Sequence, residues 1–182
     1  MNPTENLFQE HRLIERVLRS FQSFVRGFAS REQPDRCQFG RFVTFFREFA
    51  DLLHHEKEET LLMPALVDAG VPWDQGVLAE LRRQHEYERQ LLQRLRHLSL
   101  RNGDWSAHDR HRIEEVVLQF SEFMHEHVRL EDVQLMPLLR ARLTETEQTS
   151  LNSKLEQFDE SRERSGELSM LIELGEELAK LD

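Results

Sequence analysis

Two copies of one histidine–glutamate motif stand 73 residues apart in the sequence. His54 is followed four residues later by Glu58 and then by Leu-Met-Pro, and His127 is followed by Glu131 and the same three residues at identical offsets. Residues four apart lie on one face of a helix, one turn from each other. An imidazole and a carboxylate in that arrangement can bind one metal ion or two adjacent ions, so the repeat predicts a metal site.

Two further histidines, His11 and His85, are 74 residues apart and follow similar residues, Gln-Glu and Arg-Gln. In an antiparallel hairpin, two residues lie at one level when their numbers average to the centre of the connection. Successive pairs of the four histidines average to positions at or beside three breaks in the helical pattern, which are Ser30–Pro34, Ala69-Gly70 and Asn102-Gly103-Asp104. The four histidines are therefore predicted to lie within about one turn of a single layer.

The elements that must position these residues are long helices. Apolar residues recur every three or four positions between the breaks, and no stretch alternates with period two. Short connections make consecutive helices antiparallel. We expect an all-α fold, an up-down-up-down antiparallel four-helix bundle over residues 1–142, with a C-terminal helical extension over 143–182 that packs on the bundle or serves dimerisation. The predicted helices are 4–29, 36–68, 74–100, 106–141 and a fifth region at 145–181.

Four histidines and two glutamates exceed the four ligands of a structural zinc ion, so a dinuclear site inside the bundle is favoured. Glu58 and Glu131 would then be bridging carboxylates. His55 is expected to point about 100° away from His54, towards solvent or behind the ligands. The predicted metal ligands are His11, His54, Glu58, His85, His127 and Glu131.

Composition excludes several other classes. The chain has 182 residues and a net charge of −10, which argues against nucleic-acid binding through phosphates. Cys37 is the single cysteine, so no disulfide can form within the chain. No apolar run is long enough for a membrane span and no signal peptide opens the sequence, so a cytoplasmic monomer or homodimer is expected.

The four motifs together resemble those of hemerythrin-like (HHE cation-binding) proteins over about residues 5–142. The segments that carry the resemblance are EHRLIERVL around His11, HHEKEETLLMP from His54, QHEYERQLL around His85 and HVRLEDVQLMP from His127. The resemblance implies a four-helix bundle with two non-haem iron ions, bridged by carboxylates and by an oxo or hydroxo group. Its ligands, carried over residue by residue, would be the same six side chains.

The resemblance also implies a function: binding, sensing or scavenging O2 or NO. An alternative is a di-iron redox enzyme for NO or peroxide reduction or iron–sulfur cluster repair, which would need an electron-donor protein. A third reading is an interaction module whose metal only stabilises the bundle. Dedicated oxygen carriers have a histidine where this chain has Arg89, and a ligating aspartate where it has Asp132 beside Glu131. Whether Asp132 or Glu15 also binds metal, and whether the metal is iron, manganese or zinc, the sequence leaves open.

Overall fold

The computed structural model describes residues 3–30, 34–101 and 103–181, and this part of the chain is helical with no strands. Residues 31–33 and 102, which the sequence places in connections, lie outside the described residues. The all-helical prediction is confirmed. The helices are α1 (Pro3–Val25), α2 (residues 36–68), α3 (Gly76–Leu100), α4 (residues 107–142), α5 (Glu145–Glu163) and α6 (Glu167–Leu178), with a short 3₁₀ turn at Phe28–Ser30.

Contacts between consecutive helices of the bundle show an antiparallel order: along each pair, residue numbers rise on one helix as they fall on the other. Phe21 of α1 stacks on Phe42 of α2, with ring centroids 4.6 Å apart, whereas His11, earlier in α1, meets His54, later in α2. The same order holds for α2 with α3 in the pairs Asp51–Arg89 and Glu59–His85. It also holds for α3 with α4 in the pairs Tyr87–Phe123 and Gln84–His127. These contacts favour the predicted up-down-up-down order.

Helices α2 and α4 widen into π-helical turns where they carry the repeated motif. The π-helical segments are Phe46–His55, Glu58–Leu62 and Glu131–Leu135. Met63 and Met136 donate their backbone N–H groups to the carbonyls of Glu58 and Glu131, five residues back. π-helical turns are rare in proteins, and those that occur often lie at functional sites.

Both helices continue beyond the prolines of the repeat. α2 extends to Asp68 and α4 to Arg142, close to the predicted ends at 68 and 141. Each proline stands at the start of the α-helical segment that follows a π turn. The π turn before each proline has already shifted the helical hydrogen bonds by one residue, because Met63 and Met136 bond five residues back, and the helix continues past a residue that has no N–H.

The C-terminal extension packs against α1 and α2 of its own chain. The Ser20 hydroxyl donates a 2.6 Å hydrogen bond to the carbonyl of Leu178, and Arg16 pairs with Glu176. Lys57 of α2 donates a 2.9 Å hydrogen bond to Asp159 of α5. The extension therefore lies over the side of the bundle that carries His11 and His54. Within the residues described, no helix combines the length and apolar character needed to cross a bilayer.

Candidate metal centre

The structure brings all six predicted side chains into one buried layer, and each is at most 1% exposed. α1 contributes His11, α2 contributes His54 and Glu58, α3 contributes His85, and α4 contributes His127 and Glu131. The layer separates two apolar clusters. One cluster contains five phenylalanines of α2, between Phe39 and Phe49. The other contains the leucines and methionines that follow the repeated glutamates. The polar layer is therefore enclosed by packed hydrocarbon on both sides.

The donor atoms form two groups that share both glutamates. One group consists of His11, His54, Glu58 and Glu131, and the other of His55, His85, His127, Glu58 and Glu131. Within each group the donor atoms lie within 4.8 Å of one another. Imidazole nitrogen and carboxylate oxygen are the donors that iron and other first-row metals accept. The clustering of these buried donor atoms suggests a metal-binding site.

The imidazole Nε2 atoms converge within each donor group. Nε2 of His11 lies 3.1 Å from Nε2 of His54, and Nε2 of His55 lies 3.1 Å from Nε2 of His127. Two nitrogen donors at about 2.1 Å from one ion and at a right angle to each other lie about 3 Å apart. The residues therefore fit a cation between each pair, because two facing lone pairs repel unless a proton or a metal ion lies between them.

A hydrogen-bond acceptor behind each of four histidines fixes its orientation. Since a carboxylate only accepts, the Nδ1 atom of each imidazole donates and Nε2 is left as the electron-pair donor. The Nδ1 distances are 2.6 Å to Asp132 from His11, 2.7 Å to Glu10 from His54, 2.7 Å to Glu59 from His85 and 2.9 Å to the Gln84 amide oxygen from His127. Nδ1 of His55 lies 2.8 Å from the Glu88 carboxylate. Metal-binding histidines in proteins are oriented in this way.

The two central carboxylates need a cation. Neither oxygen of Glu58 or Glu131 has a hydrogen-bond partner among the described residues, and both side chains are fully buried. Burial, followed by the charge of Glu131, raises the pKa of Glu58. For Glu131, the imidazoles of His127 and His11 outweigh burial and lower the pKa. Buried carboxylates of this kind are paired or coordinate metals.

The pKa of His11 shows how strongly the site favours positive charge. Burial alone lowers the pKa of this imidazole, but the hydrogen bond to Asp132 and the negative charges of Glu131 and Glu58 outweigh burial and raise it to about 10. The pKa of His85 is also raised well above its ordinary value, again against burial, by Glu131 and Glu58. A metal ion must displace such protons, because only the deprotonated imidazole is a ligand.

His55 is the main correction to the sequence analysis. We expected it to face solvent or to lie behind the ligands, but it is 1% exposed and its Nε2 belongs to the second donor group. The expectation assumed an α-helical rotation of 100° per residue. His54 and His55 end a π-helical segment, and they enter the bundle side by side: His54 meets His11 of α1, and His55 meets His127 of α4. The repeat partner of His55 is the apolar residue Val128, which is itself buried, so the sequence contains a signal that position 55 faces inward.

Other residues singled out in the sequence have different places. Glu15 pairs with Arg12 at 3.3 Å and does not belong to either donor group. Asp132 lies behind His11 rather than among the clustered donor atoms. Arg89 donates hydrogen bonds to Asp51 and Glu59, each at 2.8 Å. It therefore helps to position Glu59, the acceptor behind His85.

Comparison with known proteins agrees with this geometry. The model of the hemerythrin HHE cation-binding domain matches residues 2–139 of the chain. Similar curated proteins are uncharacterised proteins of Mycobacterium bovis and of Mycobacterium tuberculosis, each 24% identical over 163 residues. The match covers 90% of this chain and 62% of each relative, so the chain spans less than two thirds of their length. No solved structure was found to match the chain.

Proposed function

The chain belongs to the hemerythrin HHE cation-binding domain family, and we propose that it is a non-haem di-iron protein that binds, senses or scavenges O2 or NO. Its proposed ligands are the six side chains found in the sequence, together with His55. The observation that carries the proposal is the division of the buried donors into two groups that share Glu58 and Glu131. A pair of iron ions would supply redox chemistry and coordination positions for a diatomic gas.

The two donor groups differ in size, and the difference supports a place for the gas. The group of His11 and His54 offers four donor atoms with the two glutamates, whereas the group of His55, His85 and His127 offers five. An iron ion held by His11 and His54 would therefore have fewer protein ligands and more room for a further ligand. We propose this side of the centre as the place where the gas binds.

The surroundings support binding of a small uncharged ligand. Fully buried apolar residues of α1, α2 and α4 cover one side of the layer, and a second apolar cluster covers the other side. Such walls exclude water, which would otherwise compete for open coordination positions and hydrolyse reactive species. The carboxylates behind His11, His54 and His85, and the Gln84 amide behind His127, keep each ring in the orientation that binding requires.

Anaerobic loading of the metal-free chain with ferrous iron, followed by addition of O2 or NO, tests this proposal. We expect about two irons per chain, from the two donor groups, and absorption bands that change with the gas. His127→Ala should remove these bands, and His97→Ala, on the exposed surface of α3, should retain them. If His127→Ala left the metal content unchanged, His127 would not be a ligand and the proposed site would be wrong.

The redox enzyme remains the alternative from the sequence. The same di-iron preparation distinguishes it, because an enzyme would consume NO or peroxide repeatedly when an electron donor is supplied. A binding or sensing protein would instead react once per site. A protein whose metal is bound but unaffected by either gas would be the structural module.

A further inference from the structure

The halves of the centre are related by the repeat, but they differ behind one pair of histidines. His54 donates its Nδ1 proton to Glu10, whereas its counterpart His127 donates to Gln84 at the equivalent position. One partner is therefore an anion and the other is neutral. An anionic acceptor makes the imidazole a stronger electron donor than a neutral amide does.

Glu10 is held in turn by a buried lysine. Lys57 is 1% exposed and donates to the second oxygen of the Glu10 carboxylate. Its repeat counterpart is Leu130, so the second half of the centre has no such cation. Burial alone raises the pKa of Glu10, but the Lys57 charge and the His54 hydrogen bond outweigh it and lower the pKa to about 2.

Lys57 also contacts the C-terminal extension, outside the matched family domain. Its ammonium group donates a 2.9 Å hydrogen bond to Asp159 of α5 and lies 5.9 Å from the centroid of the Phe158 ring. One turn further along, Arg162 pairs with Glu56 at 2.5 Å. Four side chains thus connect α5 to the centre in the order Asp159, Lys57, Glu10 and His54.

We propose that α5 belongs functionally to the metal centre, and that Asp159 is a positioning residue for His54. Asp159 balances the charge of Lys57, so that Glu10 remains free to accept the His54 proton rather than turning fully towards the ammonium group. The inference rests on the proposed function, and it acts on the four-donor group that we propose for gas binding. The extension therefore tunes one ion and leaves the group of His55, His85 and His127 unaffected.

The test uses the full-length, iron-loaded chain and compares Asp159→Asn with Glu156→Gln. Glu156 lies three residues earlier on α5 and is exposed, so the control removes the same charge from the same helix. Iron retained during dialysis against a chelator is measured, together with the spectrum and the unfolding of the metal-free protein. We expect Asp159→Asn to weaken the binding of one of the two irons by up to about tenfold. That is the lower end of the loss in metal affinity when a hydrogen-bond partner behind a ligand is removed. Asp159→Glu should restore retention, and Glu156→Gln should behave as wild type.

The outcomes separate this inference from the proposed function. Two irons in the wild type with unchanged retention and spectrum in Asp159→Asn would overturn the role of Asp159 alone. Lower stability of metal-free Asp159→Asn with unchanged iron retention would also overturn it, because Asp159 would then only dock the helix. A wild-type chain that binds no iron would overturn both.

Discussion

The Nε2 atoms of His55 and His127 lie 3.1 Å apart, although His55 belongs to neither copy of the repeated motif. His127 lies on α4, whereas His55 lies on α2 at the end of a π-helical segment. The pair completes a donor group of three histidines that the repeat alone would have left with two. The centre is therefore less symmetrical than the sequence suggests.

Val128 is the counterpart of His55 in the repeat. Replacing His55 with valine should therefore remove the proposed ligand and still fill the buried position with an apolar side chain. We expect one of the two irons to be lost more readily during dialysis against a chelator and the spectrum to change, because the second donor group would fall from five donors to four. His97→Val, on an exposed position of α3, serves as the control. Unchanged iron retention and an unchanged spectrum in His55→Val would show that the ring is not a ligand.

Replacing Glu58 with glutamine should separate stability from metal binding. Without metal, the change relieves one of two adjacent buried carboxylates, so the free energy of unfolding should rise by about 1 kcal/mol. With iron, the wild type should gain about 2.7 kcal/mol when free metal is at 100 times the Kd, and the variant should gain far less. Urea unfolding with and without a chelator measures both effects. Equal stabilisation of the two chains by iron would contradict a bridging role for Glu58.

The roles of Glu131 and Asp132 can be distinguished by separate substitutions. Asp132→Ala removes the acceptor behind His11 and should weaken metal binding by about 10- to 100-fold without abolishing it. Glu131→Ala removes a donor from both groups and should abolish binding. Metal titrations of the two variants provide the comparison. The opposite ranking would place the ligand at Asp132.

Gly175 tests the packing of the extension. A Cβ atom added there would lie 2.5 Å from the Phe45 ring and 3.0 Å from Leu13, so either these side chains or α6 must shift. We expect Gly175→Ala to lower the free energy of unfolding by about 1–3 kcal/mol through overpacking. Met170→Ala, on the exposed face of α6, should have little effect. Thermal unfolding of both variants tests this, and a Gly175→Ala protein as stable as wild type would contradict the close contact with α1 and α2.

The sequence predicts the helices and the meeting of six side chains because both depend on regular spacing. Helical periodicity locates the elements, and the exact repeat of His54 with Glu58 and His127 with Glu131 identifies one face of each helix. The levels of the histidines follow from the positions of the connections. The metal ligation of these residues, like the gas that would bind, remains a prediction.

The features that the sequence analysis missed depend on departures from regular geometry. His55 faces inward at the end of a π-helical segment of α2, and the apolar periodicity of the sequence does not predict a π turn. Glu88 and Lys57 are charged residues at buried positions, where composition favours an exposed side chain. Their repeat counterparts Ile14 and Leu130 are apolar, so comparison of the two halves could have indicated that these positions face inward.

The central claim is that this chain holds two iron ions that react with a diatomic gas. Iron content measured together with the absorption spectrum of the reduced protein, before and after O2 or NO is added, tests it most directly. We expect about two irons per chain, with near-ultraviolet and visible bands that change with the gas. One zinc ion per chain or no metal, with no spectral response to either gas, would contradict the claim.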